Sequence, residues 1–352
     1  VRADVAALGL AGLVVTHLAN VRYLTGFSGS AGVVLLLPDE ATLVTDFRYA
    51  TQAPVEVGSG VPVEVVEQDV WERVGRWLQA RVRLSAIGFE EESLSVRTLR
   101  RLEEVGPGIA LRATSAVVEA RRARKDPGEV TAIQQAARLA GEAFAATLPA
   151  IRAGATEGGV AAVLEAELRR RGSEAHPFPT IVASGPRSAL PHARTAARTL
   201  APGDLVLIDF GAQVDGYCAD LTRTVVLGRA DQRQRVVYDL VREAQRQALE
   251  GLRAGLTGRE ADALARGLIA ARGFSEAFGH SLGHGLGLEV HEAPRLGRAY
   301  TDPLPEDAVV TVEPGVYFPG WGGVRLEDDV RLTPQGAELL SDGCTELLEL
   351  GR

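Results

Sequence analysis

Short apolar runs alternate with amphipathic stretches across residues 1–125, the rhythm of a βα arrangement. Leu13–Thr16, Val61–Val66 and Ala86–Phe89 read as strands, and Val33–Leu37 with Ala41–Asp46 as a hairpin turning on Pro38-Asp39-Glu40. Val70–Arg81 and Ser93–Glu104 carry helical spacing. The pattern changes after the basic run Arg121–Lys125, which reads as a solvated linker or helix end. Asp126-Pro127-Gly128-Glu129 then sets an N-cap acid, a proline in the first turn and a glutamate at the third position, a strong helix start. That helix is expected to run to about Ile151, with others over Thr156–Arg171, Asp231–Ala254 and Gly258–Arg272. Thr257 and Glu260 form a second capping box. Strand-like runs follow at Leu205–Gly211, Tyr217–Leu227, Ala308–Glu313, Gly323–Glu327 and Asp329–Leu332. The expectation is an α/β domain over 1–125 and an α+β domain of helices around largely antiparallel strands over 126–352.

Composition narrows the function classes. The chain has 352 residues, enough for two domains with full cores. A net charge of −8 makes a nucleic-acid partner a poor fit. The longest apolar stretch, Ala31–Leu37, falls far short of the ~18 residues of a membrane span. No basic start with an apolar h-region is present, so neither a membrane nor a secretory signal is expected. Cys218 and Cys344 lack Cys-x-x-Cys spacing, which argues against a thiolate metal site or a disulfide framework and fits the cytoplasm.

The chemistry lies in acids at strand ends. Leu205–Gly211 is a buried-strand pattern interrupted by Asp209, and its return strand carries Asp220. With a turn at Gln213–Gly216, the Asp-x10-Asp spacing sets the two acids level on paired strands, ~5 Å apart. Glu313 ends another apolar strand, and Glu327 follows a further one beside Arg325. Carboxylates so placed repel unless they share a proton or a cation. Arg223 and Arg325 are too few to neutralise them.

Three of the six histidines, His280, His284 and His291, fall within twelve residues rich in glycine. The zinc-protease helix pattern is excluded, because Ser281 follows His280 and Gly283, Gly285 and Gly287 oppose a helix. Carboxylates with one or two imidazoles suit Mn, Co, Fe or Zn, and two ions ~3.5–4 Å apart would balance four acids. His17 and His176 read as structural, and Cys218 as a small buried residue.

The order Asp209, Asp220, His284, Glu313, Glu327 resembles the metallopeptidase family with the pita-bread fold, which includes methionine aminopeptidase, aminopeptidase P and prolidase. The surrounding Asp-Phe-Gly, Gly-His-Gly, His-Glu-x-Pro, Glu-Pro-Gly and Arg-x-Glu-Asp contexts carry the resemblance. Asn20–Gly32 and Thr45–Tyr49 resemble the creatinase-like N-terminal domain of its proline-specific branch. The resemblance implies two divalent metal ions, Mn favoured. Asp209 would bind one ion and His284 and Glu313 the other, with Asp220 and Glu327 bridging.

It further implies hydrolysis of the bond before proline by a metal-bridged hydroxide. Glu313 would be general base and proton shuttle, and His192 and His291 would stabilise the oxyanion and hold the proline side. His280 matches a further pocket histidine. Arg325 is expected to grip a substrate carboxylate, Arg48 to cap one from the other subunit of a homodimer, and Tyr217 and Asp215 to shape the pocket. Substrates would be Xaa-Pro dipeptides, with longer peptides cleaved by an Xaa-Pro aminopeptidase as the alternative. Metal-free creatinase chemistry is disfavoured by the five ligands. A pita-bread binding module without activity is the non-enzymatic alternative.

Overall fold

The computed structural model describes residues 1–81, 86–341 and 346–351. Cys344 lies outside the described residues. The chain divides into two compact units, Val1–Arg122 and Ala123–Arg352.

The first unit is built on a six-stranded sheet. Its strands are β1 (Gly12–Val15), β2 (Gly32–Leu36), β3 (Ala41–Asp46), β4 (Val63–Val66), β5 (Ala86–Glu90) and β6 (Ala110–Thr114). Their order is β4-β3-β2-β1-β5-β6. The β2–β3 hairpin is antiparallel, while β1–β5, β3–β4 and β5–β6 are parallel. Cores lie on both faces. One holds Leu13, Val15, Val34 and Leu43, and the other Val14, Val33, Leu35 and Val44 beneath Trp77 and Leu78. Strict alternation along β1 and β2 sorts these residues between the faces.

The second unit contains a four-stranded sheet ordered β17-β9-β8-β7 and a five-stranded antiparallel sheet ordered β11-β10-β12-β15-β16. The strands are β7 (Ile181–Ser184), β8 (Leu205–Val214), β9 (Tyr217–Leu227), β10 (Gly283–Gly285), β11 (Glu292–Leu296), β12 (Val309–Val312), β13 (Gly315–Phe318), β14 (Gly322–Arg325), β15 (Asp328–Leu332), β16 (Ala337–Leu339) and β17 (Glu349–Leu350). β13 and β14 form a separate antiparallel pair. The helices Pro127–Thr147 and Glu157–Arg171 back the first sheet over Val206, Ile208, Phe210 and Leu221. The helices Gln232–Gly251 and Gly258–Ala271 share a core with Val310, Val312 and Val330 of the second. Each fully buried aliphatic side chain contributes about 1.5–3 kcal/mol.

Capping boxes start helices at Asp126/Glu129, Asp231/Gln234 and Thr257/Glu260. The basic run before the first is a helix end, closing the short helix Glu119–Arg122, and it is only partly solvated. Arg122 and Lys125 are buried, Arg122 donating to Asn20 Oδ1 at 2.8 Å and Lys125 to Glu292 Oε1 at 2.6 Å. Burial is tolerated because each cation meets an acceptor inside its own unit. Among the described residues no helix is long and apolar enough to cross a membrane.

Candidate active site

Period-2 geometry places the acids. On β8, Val206, Ile208 and Phe210 face the helices, so Asp209 faces the other way, and on β9 Asp220 and Thr222 do the same opposite Ala219 and Leu221. The two aspartates are not level. Asp209 pairs with Thr222 and Asp220 with Gly211, a diagonal offset on one face. The reason is the turn. Val214 pairs with Tyr217, and Asp215 and Gly216 take φ of +50° and +80°, a two-residue type I′ connection centred one residue later than expected.

His284 arrives from the second sheet on β10. A Cβ at the preceding Gly283 would lie 2.0 Å from the Thr311 carbonyl oxygen, so only glycine lets β10 and β12 approach this closely. Glu313 follows β12, and Glu327 sits between β14 and β15, bridged to Thr222 of β9. Ligand atoms of Asp220, His284 and Glu327 lie within 4.8 Å of one another. His284 Nε2 is 3.4 Å from Glu313 Oε1 and 3.8 Å from Asp220 Oδ2.

These groups suit a cation. His284 Nδ1 is 3.1 Å from the Gly285 carbonyl and so takes the proton in the neutral ring, which turns the Nε2 lone pair toward carboxylate oxygens. Asp209 Oδ1 and Asp220 Oδ1 are buried and have no hydrogen-bond partner among the described residues. Burial, then the neighbouring acids, pushes Asp220 and Glu327 well above the usual carboxylate range, and burial raises Glu313 to about 8. Burial, then His291, pulls His284 down to about 3. Each perturbation is one a divalent cation would relieve, and four carboxylates with one imidazole fit a hard or borderline ion. Asp209, Asp220, His284, Glu313 and Glu327 are the residues that would hold it.

The cluster lies in a pocket of about 900 Å³ also lined by His192, His280, His291 and Arg325. The His291 ring packs edge-on against His284, with centroids 4.3 Å apart. His280 is internally committed. Its Nδ1 is 2.8 Å from the Ser281 carbonyl and its Nε2 2.9 Å from the Tyr317 hydroxyl. That hydroxyl accepts from Arg325 Nη1 at 3.0 Å and donates to His280. Desolvation, then Arg325, lowers His280 to about 4. It therefore holds Tyr317 rather than offering a free nitrogen.

Arg325 likewise differs from the expected carboxylate clamp. It is 3 % exposed. It donates through Nε to Thr222 Oγ1 at 3.1 Å, through Nη1 to Tyr317 and the Pro191 carbonyl, and through Nη2 to Asp209. Thr222 in turn donates to Glu327 Oε2 at 2.6 Å. A guanidinium spent on internal acceptors orients Asp209 and has little left for substrate. Tyr217 lies outside the pocket lining and donates to Glu129 Oε1 at 2.9 Å, because its place at the hairpin end turns it toward the first helix. Asp215 sits in the turn itself, its N–H bound to Glu174. Arg48 is paired with Asp46 at 2.8 Å within the first unit. Cys218 is buried, its thiol pushed up to about 12 by burial.

The sequence reading missed Arg295. It lines the pocket half-buried, opposite His284 in the β10–β11 register, with no ion-pair partner among the described residues. Its place four residues after His291, on the strand that follows that histidine, was a usable signal. Asp329 was missed too. It is fully buried, and its Oδ2 accepts the Asp220 N–H at 3.1 Å.

A family model described as "Metallopeptidase family M24" matches residues 131–334, and one described as "Creatinase/Prolidase N-terminal domain" matches residues 1–124. An Xaa-Pro dipeptidase of Pyrococcus horikoshii is 37% identical over 330 residues, covering 94% of this chain and 92% of its own. The structure of an Xaa-Pro dipeptidase from Bacillus anthracis superposes with a TM-score of 0.95 at 39% identity, over 99% of this chain and 98% of the other. That of an X-Pro aminopeptidase from Thermotoga maritima gives 0.92 at 38%, over 99% and 98%.

Proposed function

This chain belongs to metallopeptidase family M24, with a creatinase/prolidase N-terminal domain, and on that premise we propose that it hydrolyses the Xaa-Pro bond of dipeptides. One observation carries the reading. Five metal-suited side chains converge in a pocket whose wall also holds a cation, Arg295, that has no ion-pair partner among the described residues. Relatives named Xaa-Pro dipeptidase support it, and the relative named X-Pro aminopeptidase keeps the second reading in play.

Divalent ions held by Asp209, Asp220, His284, Glu313 and Glu327 would supply a hydroxide nucleophile near neutral pH and Lewis-acid polarisation of the scissile carbonyl. The rest falls to the chain. Proline offers no amide N–H, so recognition must come from the carbonyl and from the two ends of the substrate. Glu313 takes the proton of the attacking water and passes it to the proline nitrogen. His192 and His291 stand on the pocket wall as N–H donors to the developing oxyanion. Arg295 takes the free carboxylate of the dipeptide bidentately, the task expected of Arg325. Arg325 and Thr222 hold Asp209 and Glu327 in place. On the family resemblance we also take the ion to be manganese and the assembly to be a homodimer in the cytoplasm. Metal analysis, light scattering and cell fractionation test these.

The deciding experiment compares proline release from Ala-Pro with alanine release from Ala-Pro-Ala, with Mn and with chelator. Cleavage of the dipeptide is expected, abolished by chelator, with the tripeptide at least about tenfold slower. Arg295→Ala should raise KM for Ala-Pro about 10- to 100-fold with a smaller change in kcat. Efficient tripeptide cleavage, indifferent to Arg295, would make the chain an aminopeptidase.

A further inference from the structure

The segment Gly185–Thr195 supplies five consecutive pocket residues, Pro191 to Thr195, yet its regular structure is confined to the short 3₁₀ turn Gly185–Ala189. Backbone without a ladder must find other partners. One side chain outside the segment holds the residues that flank it. Glu157 opens the helix Glu157–Arg171 and is fully buried. Its Oε1 accepts the Ser184 N–H at 2.9 Å and the Ser184 hydroxyl at 2.8 Å, while Oε2 accepts the Ala196 N–H at 3.1 Å. Arg187 Nε lies 3.2 and 3.1 Å from the two oxygens. Arg187 extends the hold by donating from Nη2 to the Arg194 carbonyl. One carboxylate thus grips residues 184, 187 and 196, bracketing the stretch that carries His192.

Other functions of Glu157 are already filled. The helix has its own cap, since Thr156 Oγ1 accepts the Gly159 N–H at 3.0 Å. Its packing rests on Val160, Leu164 and Leu168. Glu157 does not line the pocket. We infer that Glu157, with Arg187 as its counter-ion, is a positioning residue for catalysis, fixing the loop that presents His192 and Thr195 over the acid cluster. This rests on the reading of the pocket as a peptidase site.

The test uses the full-length, Mn-loaded protein on Ala-Pro, with Glu157→Gln, Arg187→Lys, His192→Ala and the Glu157→Gln/His192→Ala pair. Glutamine keeps the shape of Glu157 but sets an amide against the donors it serves. Glu157→Gln should lower kcat about 10- to 100-fold, leaving KM within about twofold and Mn affinity unchanged. Arg187→Lys should give a smaller loss of the same kind. The double variant should be no slower than His192→Ala alone, because Glu157 acts through that loop. Histidine-labelled NMR of the metal-free protein supplies a readout independent of turnover. The His192 resonances should move or broaden in Glu157→Gln while those of His284 hold. If wild type fails to cleave Ala-Pro, the proposed function falls and the NMR arm still decides the positioning role. Losses that multiply in the double variant, or an unchanged kcat with an unmoved His192 signal, overturn the inference. Should Glu157→Gln not fold, Arg187→Lys carries the same comparisons.

Discussion

Glu90 in the first unit and Asp220 in the second are carboxylates of similar burial, 6 % and 5 % exposed, with opposite surroundings. Glu90 accepts from the Thr16 and His17 N–H groups at 2.6 and 2.7 Å, from the Thr16 hydroxyl at 3.2 Å and from Asn20 Nδ2 at 2.6 Å. Asp220 has an oxygen with no partner among the described residues, a histidine lone pair facing it and further acids nearby. The first is a structural acid, its lone pairs saturated by donors. The second is left open for a cation that the chain itself does not supply. Partner count, rather than burial, separates the two.

The largest effect that tests this contrast is on activity. Asp220→Asn should abolish Ala-Pro cleavage by at least about 10³-fold and remove Mn binding in calorimetry, whereas Glu90→Gln should leave turnover per folded molecule intact. On stability the order reverses. Glu90→Gln should cost about 2–4 kcal/mol in urea unfolding, because an amide donor then faces donors. Mn at 100 times its Kd should stabilise the wild type by about 2.7 kcal/mol, and chelator or Asp220→Asn should erase that gain. In metal-free protein Asp220→Asn should itself add about 1–3 kcal/mol, since it removes a buried carboxyl whose ionisation burial and the neighbouring acids oppose. A loss there would break the comparison.

The smallest effect is pH-dependent. Burial alone would raise Glu119, but hydrogen bonds to His17 and Asn20 prevail and hold its carboxyl down at about 2. Its folded value lies below its unfolded one. The contribution is therefore present above about pH 4.5 and drains away as pH falls toward 2. The urea midpoint of Glu119→Gln should lie below that of the wild type at pH 6 and meet it near pH 2.

Much of this was legible in the sequence, for identifiable reasons. Capping boxes are local, so the starts of the helices after Asp126 and Thr257 could be read directly. The helix Leu18–Thr25 escaped because its cap residue His17 makes no side-chain cap bond. The strand Ala110–Thr114 escaped because it is a sheet edge with only Thr114 buried. The five ligand-type residues stood out as acids and a histidine in apolar or glycine-rich contexts. Their relative placement did not, since one residue of turn position converts a level pair into a diagonal one. Arg325, His280 and Arg295 were harder still. Which arginine is spent and which is free depends on acceptors contributed by Thr222, Tyr317 and Pro191, far apart in the chain.

The acids and the imidazole come from two different sheets, Asp209 and Asp220 from one and His284 from the other, with Glu313 and Glu327 at strand ends beside it. An ion seated among them is then a cross-link as well as a reagent, closing a loop of 65 residues between positions 220 and 284 with no covalent bond. Amide exchange in β9 and β10 should slow together on loading and quicken together on chelation. The persistence of this unit against proteases would then follow the supply of a trace element, so that starvation for the ion is felt as turnover of the protein as well as lost chemistry.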